Sequence, residues 1–175
     1  MARLSKKDWL EEGFKILSEF AQNKLRILYL CERLKVTRGS FYHHFQSIEA
    51  YIVALMQEWE RQHTLTFIRE ASRGGDPKAR MLLLNQQVIA ADQSIEAAIR
   101  SWSFYHPEVN QHLARVDQIR IAYLEGIFRD MGFPPDKALA KAKLDYAILV
   151  GLQQLYPKTT AAEMEALYEV YLESQ

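Results

Sequence analysis

The chain has 175 residues, enough for a compact body with a small appendage and too few for a large multidomain assembly. Lys plus Arg number 22 and Asp plus Glu also 22, so the formal net charge is zero, which excludes a uniformly basic coat and an acidic disordered tail. Hydrophobic residues make up 49% and charged residues 25%, and seven Gly with five Pro leave little room for a turn-rich β protein.

The first helix is expected near residues 5 to 21, with Ser5 and Asp8 as a capping box and Trp9, Phe14, Leu17 and Phe20 or Ala21 as its apolar stripe. A second runs from about Lys24 to Leu34 and, after a very short turn, a third follows with Thr37 as N-cap and Arg38 to Phe45 as its body. The fourth spans Ile48 to about Ser72 and stops at Arg73-Gly74-Gly75. Asp76 before Pro77 starts the fifth, which ends at Ala91. The sixth covers Ser94 to Tyr105, and the seventh runs from Pro107 to Met131 with Gly132 as its stop. Pro134 and Pro135 open the eighth, which ends near Leu155 before Pro157. Thr160 with Glu163 caps a ninth helix over 160 to 174. The expected class is all-α: about nine helices, a three-helix head over 1–47 and a helical body over 48–175.

Charge is unevenly spread along this order. Residues 1 to 45 carry nine Lys or Arg against five Asp or Glu, and the remaining 130 carry 13 against 17, so a basic head precedes an acidic body. One end is suited to a polyanion and the other is not. Cys31 is the sole cysteine, so no internal disulfide and no oxidising compartment is implied. Lys6, Lys7, Asp8, Glu11 and Glu12 stand where a signal peptide needs an apolar stretch, and the longest apolar run, Tyr146 to Leu152, falls far short of a membrane span. A cytoplasmic protein with no membrane partner is expected.

The segment from Leu30 to Phe45 has helix-turn-helix spacing. Cys31 is the small residue at the helix crossing, and Leu30, Leu34, Val36, Phe41 and Phe45 supply the inner anchors. The outer side of the third helix then offers Arg38, Ser40, Tyr42 and His43, a mixture able to meet phosphates and base edges in a major groove. Backbone N–H groups at Thr37 add a favourable dipole for phosphate.

Thr-Arg-Gly-Ser-Phe-Tyr-His-His-Phe, preceded by Leu-Cys-Glu-Arg-Leu-Lys-Val, resembles the DNA-binding signature of TetR-type bacterial transcriptional regulators over roughly residues 5 to 50. The resemblance implies a homodimeric repressor whose heads grip a palindromic DNA operator and whose body binds a small effector. Thr37 and Arg38 would meet phosphates, Ser40, Tyr42 and His43 would face the groove, and Gly39 would allow close backbone approach. Four departures from the pattern stand out. Lys35 occupies the turn position usually held by Gly, which implies φ > 0 for a lysine. Arg26 replaces the usual capping Thr of the second helix, Leu28 and Tyr29 occupy commonly polar positions, and Ile48 and Gln46 replace lysines. Lys24 and Arg26 are candidate compensating cations. The alternative reading is a helical dimer of the same kind that binds a ligand but has lost or weakened its operator binding.

In the body, Met56, Trp59, His63 and Phe67 recur at helical spacing, followed by Trp102, Tyr105, His106 and Tyr123. This set could line a cavity for a mainly apolar, aromatic or lipid-like molecule, with His63, Tyr105 and His106 as polar handles. Tyr146, Leu149 and Leu152 on the eighth helix and Met164, Leu167, Tyr168 and Tyr171 on the ninth leave more apolar surface than one small body needs. The resemblance places a two-fold dimer contact there. No catalytic or metal site and no cofactor is expected. Adjacent His43 and His44 cannot share a helix face as ligands, and Glu60-Arg61-Gln62-His63 is half of a di-metal motif with no second copy.

Overall fold

The computed structural model describes residues 4–156 and 159–173. Pro157 and the expected helix end at residue 174 lie outside the described residues. The α-helices are α1 (Lys6–Phe20), α2 (Ile27–Leu34), α3 (Arg38–His44), α4 (Ile48–Glu60), α5 (Thr66–Ala71), α6 (Pro77–Ala90), α7 (Gln93–Ser103), α8 (Pro107–Asp130), α9 (Pro135–Leu155) and α10 (Ala161–Glu173), and no strand occurs among the described residues. The all-α expectation holds, with α4 and α5 as two arms of the predicted fourth helix. Between them Arg61–Leu65 forms a π-helical turn, whose extra residue changes the face that follows.

Local chemistry explains most boundaries. The Ser5 amide donates to Asp8 Oδ2 (2.6 Å) and the Asp8 amide donates to Ser5 Oγ (3.4 Å), the reciprocal cap expected from sequence. Those Ser5 hydrogen bonds hold the Asp8 carboxyl below its ordinary value. Ser47 caps α4 through Ala50 (3.2 Å), and Asp76 caps α6 through the amides of Lys78 and Ala79, both at 3.0 Å. Thr160 and Glu163 repeat the box at α10. α2 begins later than expected because Ala21–Lys24 form a 3-10 turn, and Arg26, at the N-cap, makes no side-chain cap bond. Its C-cap is Lys35 in the left-handed region (φ 55°, ψ 45°), where its amide reaches the carbonyls of Cys31 and Glu32.

The chain divides into two compact units. One contains the described residues up to Arg61 together with Ser94–Arg115, and the other contains Gln62–Gln93 and the described residues from Val116 onward. The first unit includes α4, which packs on α1.

In the first unit Trp9, Leu17, Leu30, Phe41, Tyr51 and Trp59 are fully buried. Tyr51 Oη donates to the Trp9 carbonyl (2.8 Å), so α4 is hydrogen-bonded to the backbone of α1. Gly13 makes room for it: a Cβ there would lie 2.1 Å from Tyr51 Oη and 3.2 Å from Cζ. Arg33 ties α2 to α1 by donating to Glu12 (2.7 Å) and bidentately to Glu19 (2.6 and 2.9 Å). Buried Glu60 accepts from Arg115 at 2.7 Å, and Glu96 pairs with Arg100 at 2.8 Å.

The second unit packs Met81, Leu124, Ile127, Phe128, Ala142 and Tyr146 as its core. A polar network runs beside it. Arg120 donates to Thr64 Oγ1 (3.0 Å), the His63 carbonyl (3.3 Å) and Tyr146 Oη (3.1 Å), and Tyr146 donates to Asp117 (2.6 Å). Arg120 thus ties the π turn to α9. Asp145 is buried, and that burial pushes its carboxyl above the ordinary value against the opposing pull of the Tyr171 hydrogen bond and Lys141. Burial and the same carboxylate push the Tyr171 hydroxyl up to about 12.

Substitutions at four of these positions have defined expected outcomes. Gly13→Ala gains helix propensity but drives a methyl into an immobile ring, so it should destabilise by about 1–3 kcal/mol in urea unfolding. Tyr51→Phe should cost about 1 kcal/mol, and the double variant should lose less than the sum, since removing the hydroxyl relieves the closest clash. Lys35→Gly should stabilise by about 0.5–1 kcal/mol, because relief of the left-handed conformation outweighs the added freedom of the unfolded glycine. For Asp145, the raised folded pKa contributes stability below the ordinary carboxylate value that is lost as pH rises through the folded value. Asp145→Asn should therefore raise the melting temperature at neutral pH, with the gain shrinking to nothing in acid.

Candidate nucleic-acid interface

α3 has one face built into the head and one face turned out. Phe41 is fully buried, with its ring 5.4 Å from Trp9, 5.3 Å from Phe45 and 5.7 Å from Tyr51. These edge and tilted contacts fix the rotation of a helix only seven residues long. The outward face is set by that rotation. Arg38 and Tyr42, and likewise Gly39 and His43, are four residues apart and all four are exposed, with Tyr42 at 55%. Ser40 is half-buried, and Thr37 is exposed at the start.

Thr37 occupies the N-cap by its backbone, but its side chain makes no cap bond, unlike the expectation. Its hydroxyl is not committed to the helix. Gly39 has no internal reason to be glycine, since a Cβ would meet only Thr37 Oγ1, at 3.6 Å. A glycine inside a helix costs about 0.5–1 kcal/mol relative to alanine, so what it leaves open is space on the outside.

The flanking cations differ in their freedom. The Lys24 ammonium lies over the rings of Phe20 (5.0 Å) and Tyr29 (5.2 Å), whereas Arg26 is exposed. Arg33, which sequence reasoning did not assign, is committed to Glu12 and Glu19. His44 is half-buried, 6.3 Å from the Trp9 ring, off the outward face. Cys31 is buried at the crossing, which pushes its thiol up and keeps it a packing residue. The outward set combines guanidinium, hydroxyl, phenol and imidazole groups over one short face, the chemistry that meets phosphates and base edges.

The residues expected to meet an effector are distributed as follows. In the first unit Met56 and Trp59 are fully buried, Trp102 is buried edge-on to His106 (5.2 Å), and Tyr105 is 83% exposed. In the second unit His63 and Phe67 stack at a tilt (5.9 Å), and the Tyr123 hydroxyl is 3.1 Å from Ser72 Oγ. Tyr105 points to solvent because α7 ends at Ser103, two residues before the expected end, and the residues after it turn outward. Among the described residues no three His, Cys, Asp or Glu side chains gather as metal ligands would, and no helix is long and apolar enough to cross a membrane.

Of the residues expected at a subunit contact, Tyr146, Met164 and Tyr168 lie inside the chain's own core, Leu149, Leu152 and Tyr171 are half-buried, and Leu167 is exposed. Among the described residues the exposed large apolar side chains of α9 and α10 are Leu139, Leu144, Leu155, Leu167 and Val170, of which Leu167 alone is among those expected. The phase differs because Tyr146 turns inward to Arg120 and Asp117, which rotates Leu144 to the outside.

No protein-family model matches the sequence, and no curated protein matches it. Solved structures do. A transcriptional regulator from Rhodococcus superposes with a TM-score of 0.78 at 18% identity, covering 93% of this chain and 91% of that one. A TetR transcriptional regulator from Legionella pneumophila gives 0.72 at 15% identity, covering 97% and 98%. A regulator from Saccharomonospora viridis, solved in complex with choline, gives 0.75 at 16% identity, covering 96% and 95%. The head, the exposed face of α3 and the helical remainder together have the fold of TetR-type transcriptional regulators.

Proposed function

We propose that this chain is a DNA-binding transcriptional regulator of the TetR type, a repressor that grips a palindromic operator as a symmetric homodimer and is released by a small apolar effector. The observation that carries the reading is the division of α3: Phe41 locks its back into the head, while Arg38, Gly39, Tyr42 and His43 stand exposed together. Thr37 and Arg38 are assigned to phosphates, and Ser40, Tyr42 and His43 to the groove.

Dimerisation is supported by the apolar stripe that the second unit leaves in water. Leu144 and Leu155 on α9 are 64% and 74% exposed, and Leu167 and Val170 on α10 are 42% and 67% exposed. Gly151 lies between the first two, and a Cβ there would meet nothing within its own chain, leaving room for a second helix. Two-fold pairing through this stripe would present two α3 helices to one duplex, which requires them about 34 Å apart, or a multiple of it. An effector acts on that spacing only by binding one state more tightly than the other. The choline-bound Saccharomonospora viridis structure supports effector binding by this fold.

The experiment is a gel shift at low salt with palindromic fragments drawn from a random duplex pool. The chain should retain a duplex as a dimer, and Tyr42→Ala or His43→Ala should weaken it about tenfold each with the melting temperature unchanged. Leu144→Glu with Leu155→Glu should yield monomer and abolish the shift. A dimer that retained no duplex at any salt would overturn the assignment to DNA.

A further inference from the structure

The turn between α7 and α8 holds two aromatic rings in water. Phe104 and Tyr105 are 80% and 83% exposed. The turn beneath them is stiff: the Tyr105 amide donates to the Trp102 carbonyl (3.0 Å), buried Trp102 packs edge-on to His106, and Pro107 restricts its own backbone and that of the residue before it. Two large rings displayed on a fixed turn lose little conformational entropy on burial, which is the property of an interface anchor.

Acidic groups flank the pair. Glu108 lies 3.2 Å from His106 Nδ1. The exposed Glu49 carboxyl is held below its ordinary value by the Ser47 hydroxyl and its own amide, and His106 adds to that pull, so the turn and the first residues of α4 are neighbours. Carboxylates here repel phosphate, and neither a nucleic acid nor an anionic lipid surface suits the rings. The matching surface is apolar and basic.

The same unit carries such a surface. Beside the outward face of α3 is a shallow depression of about 310 Å³ lined by Arg26, Ile27, Leu28, Arg38, Tyr42 and Ile48. Arg26 and Arg38 are exposed, in contrast to Arg33, which Glu12 and Glu19 hold. Ile48 lines the depression and Glu49 follows it in the chain, so the ring pair and the depression lie near each other on one head. That placement lets two copies exchange rings reciprocally about a two-fold axis. Four rings at about 150–250 Å² each, with comparable area on the walls that receive them, reach the roughly 1,200–2,000 Å² of a specific interface.

We infer that the Phe104–Tyr105 pair docks in the depression of a second copy of this chain, with Glu49 and Glu108 facing Arg26 and Arg38 across the contact. Arg38 and Tyr42 belong both to the depression and to the outward face of α3, so copies paired in this way hide the reading face. That consequence rests on the proposed DNA-binding function, whereas the association does not.

The test is sedimentation velocity on the full chain from about 1 to about 100 µM, at about 50 and about 500 mM salt. At low salt the mass should rise with concentration beyond that of a dimer, and high salt should reverse the rise. Phe104→Ser with Tyr105→Ser, or Leu28→Asp alone, should lower the association constant about tenfold with the melting temperature unchanged. Mixing these two variants should restore association in part, since each supplies the half that the other lacks, and mixing rescues no folding defect. Saturating duplex should return the parent to a dimer. If the parent keeps one mass across the range, or the ring variant assembles as the parent does, the contact is overturned. An assembly that persists on bound duplex overturns the masking of α3. If the parent assembles as stated yet retains no duplex, the DNA-binding function falls and the contact stands.

Discussion

The head depends on one close contact. Tyr51 reaches from α4 across Gly13 to the Trp9 carbonyl, and its ring also meets Phe41 and Phe45. A single side chain therefore sets the distance of α4 from α1 and the rotation of α3. The low-dielectric interior strengthens the hydrogen bond, and the lack of a Cβ at residue 13 is what permits it. Everything exposed on α3 inherits its direction from that arrangement.

Charge is used differently in different parts of the molecule. On the head, Glu12 and Glu19 neutralise Arg33 to hold two helices together, and the cations left exposed border an apolar depression. In the second unit Arg120 works inward, satisfying a carbonyl and a hydroxyl at the π turn and the hydroxyl of Tyr146. A π turn leaves backbone groups poorly matched to a regular ladder, and a half-buried guanidinium with five donors is well suited to meet them. The zero net charge of the chain conceals these separate uses.

Much of the head was legible in the sequence because its signals are local. Capping boxes at Ser5 and Thr160 and the cap at Asp76 before Pro77 each act within three or four residues, and the structure contains each of these caps. Lys35 in the left-handed region was legible through the resemblance, whose pattern usually holds Gly at that turn position. The stripe on α9 and α10 was not. Periodicity specifies which residues share a face, but Tyr146 and Leu144 both look apolar in sequence. Only the hydrogen bonds of the Tyr146 hydroxyl to Arg120 and Asp117 decide which of them turns inward.

The sequence by itself determined the helical class, most helix starts and the chemistry displayed by α3, because caps, prolines and a 3.6-residue period act over short stretches of chain. Tertiary structure alone decided where the units divide, that Tyr51 rather than the motif residues anchors the head, that the fourth helix breaks at a π turn, and that Tyr146, Met164 and Tyr168 belong to the core. Those outcomes rest on contacts between residues far apart in the chain, such as Arg120 with His63 or Tyr51 with Trp9. No local preference encodes such pairs, and they form only when whole helix faces compete for the same buried space.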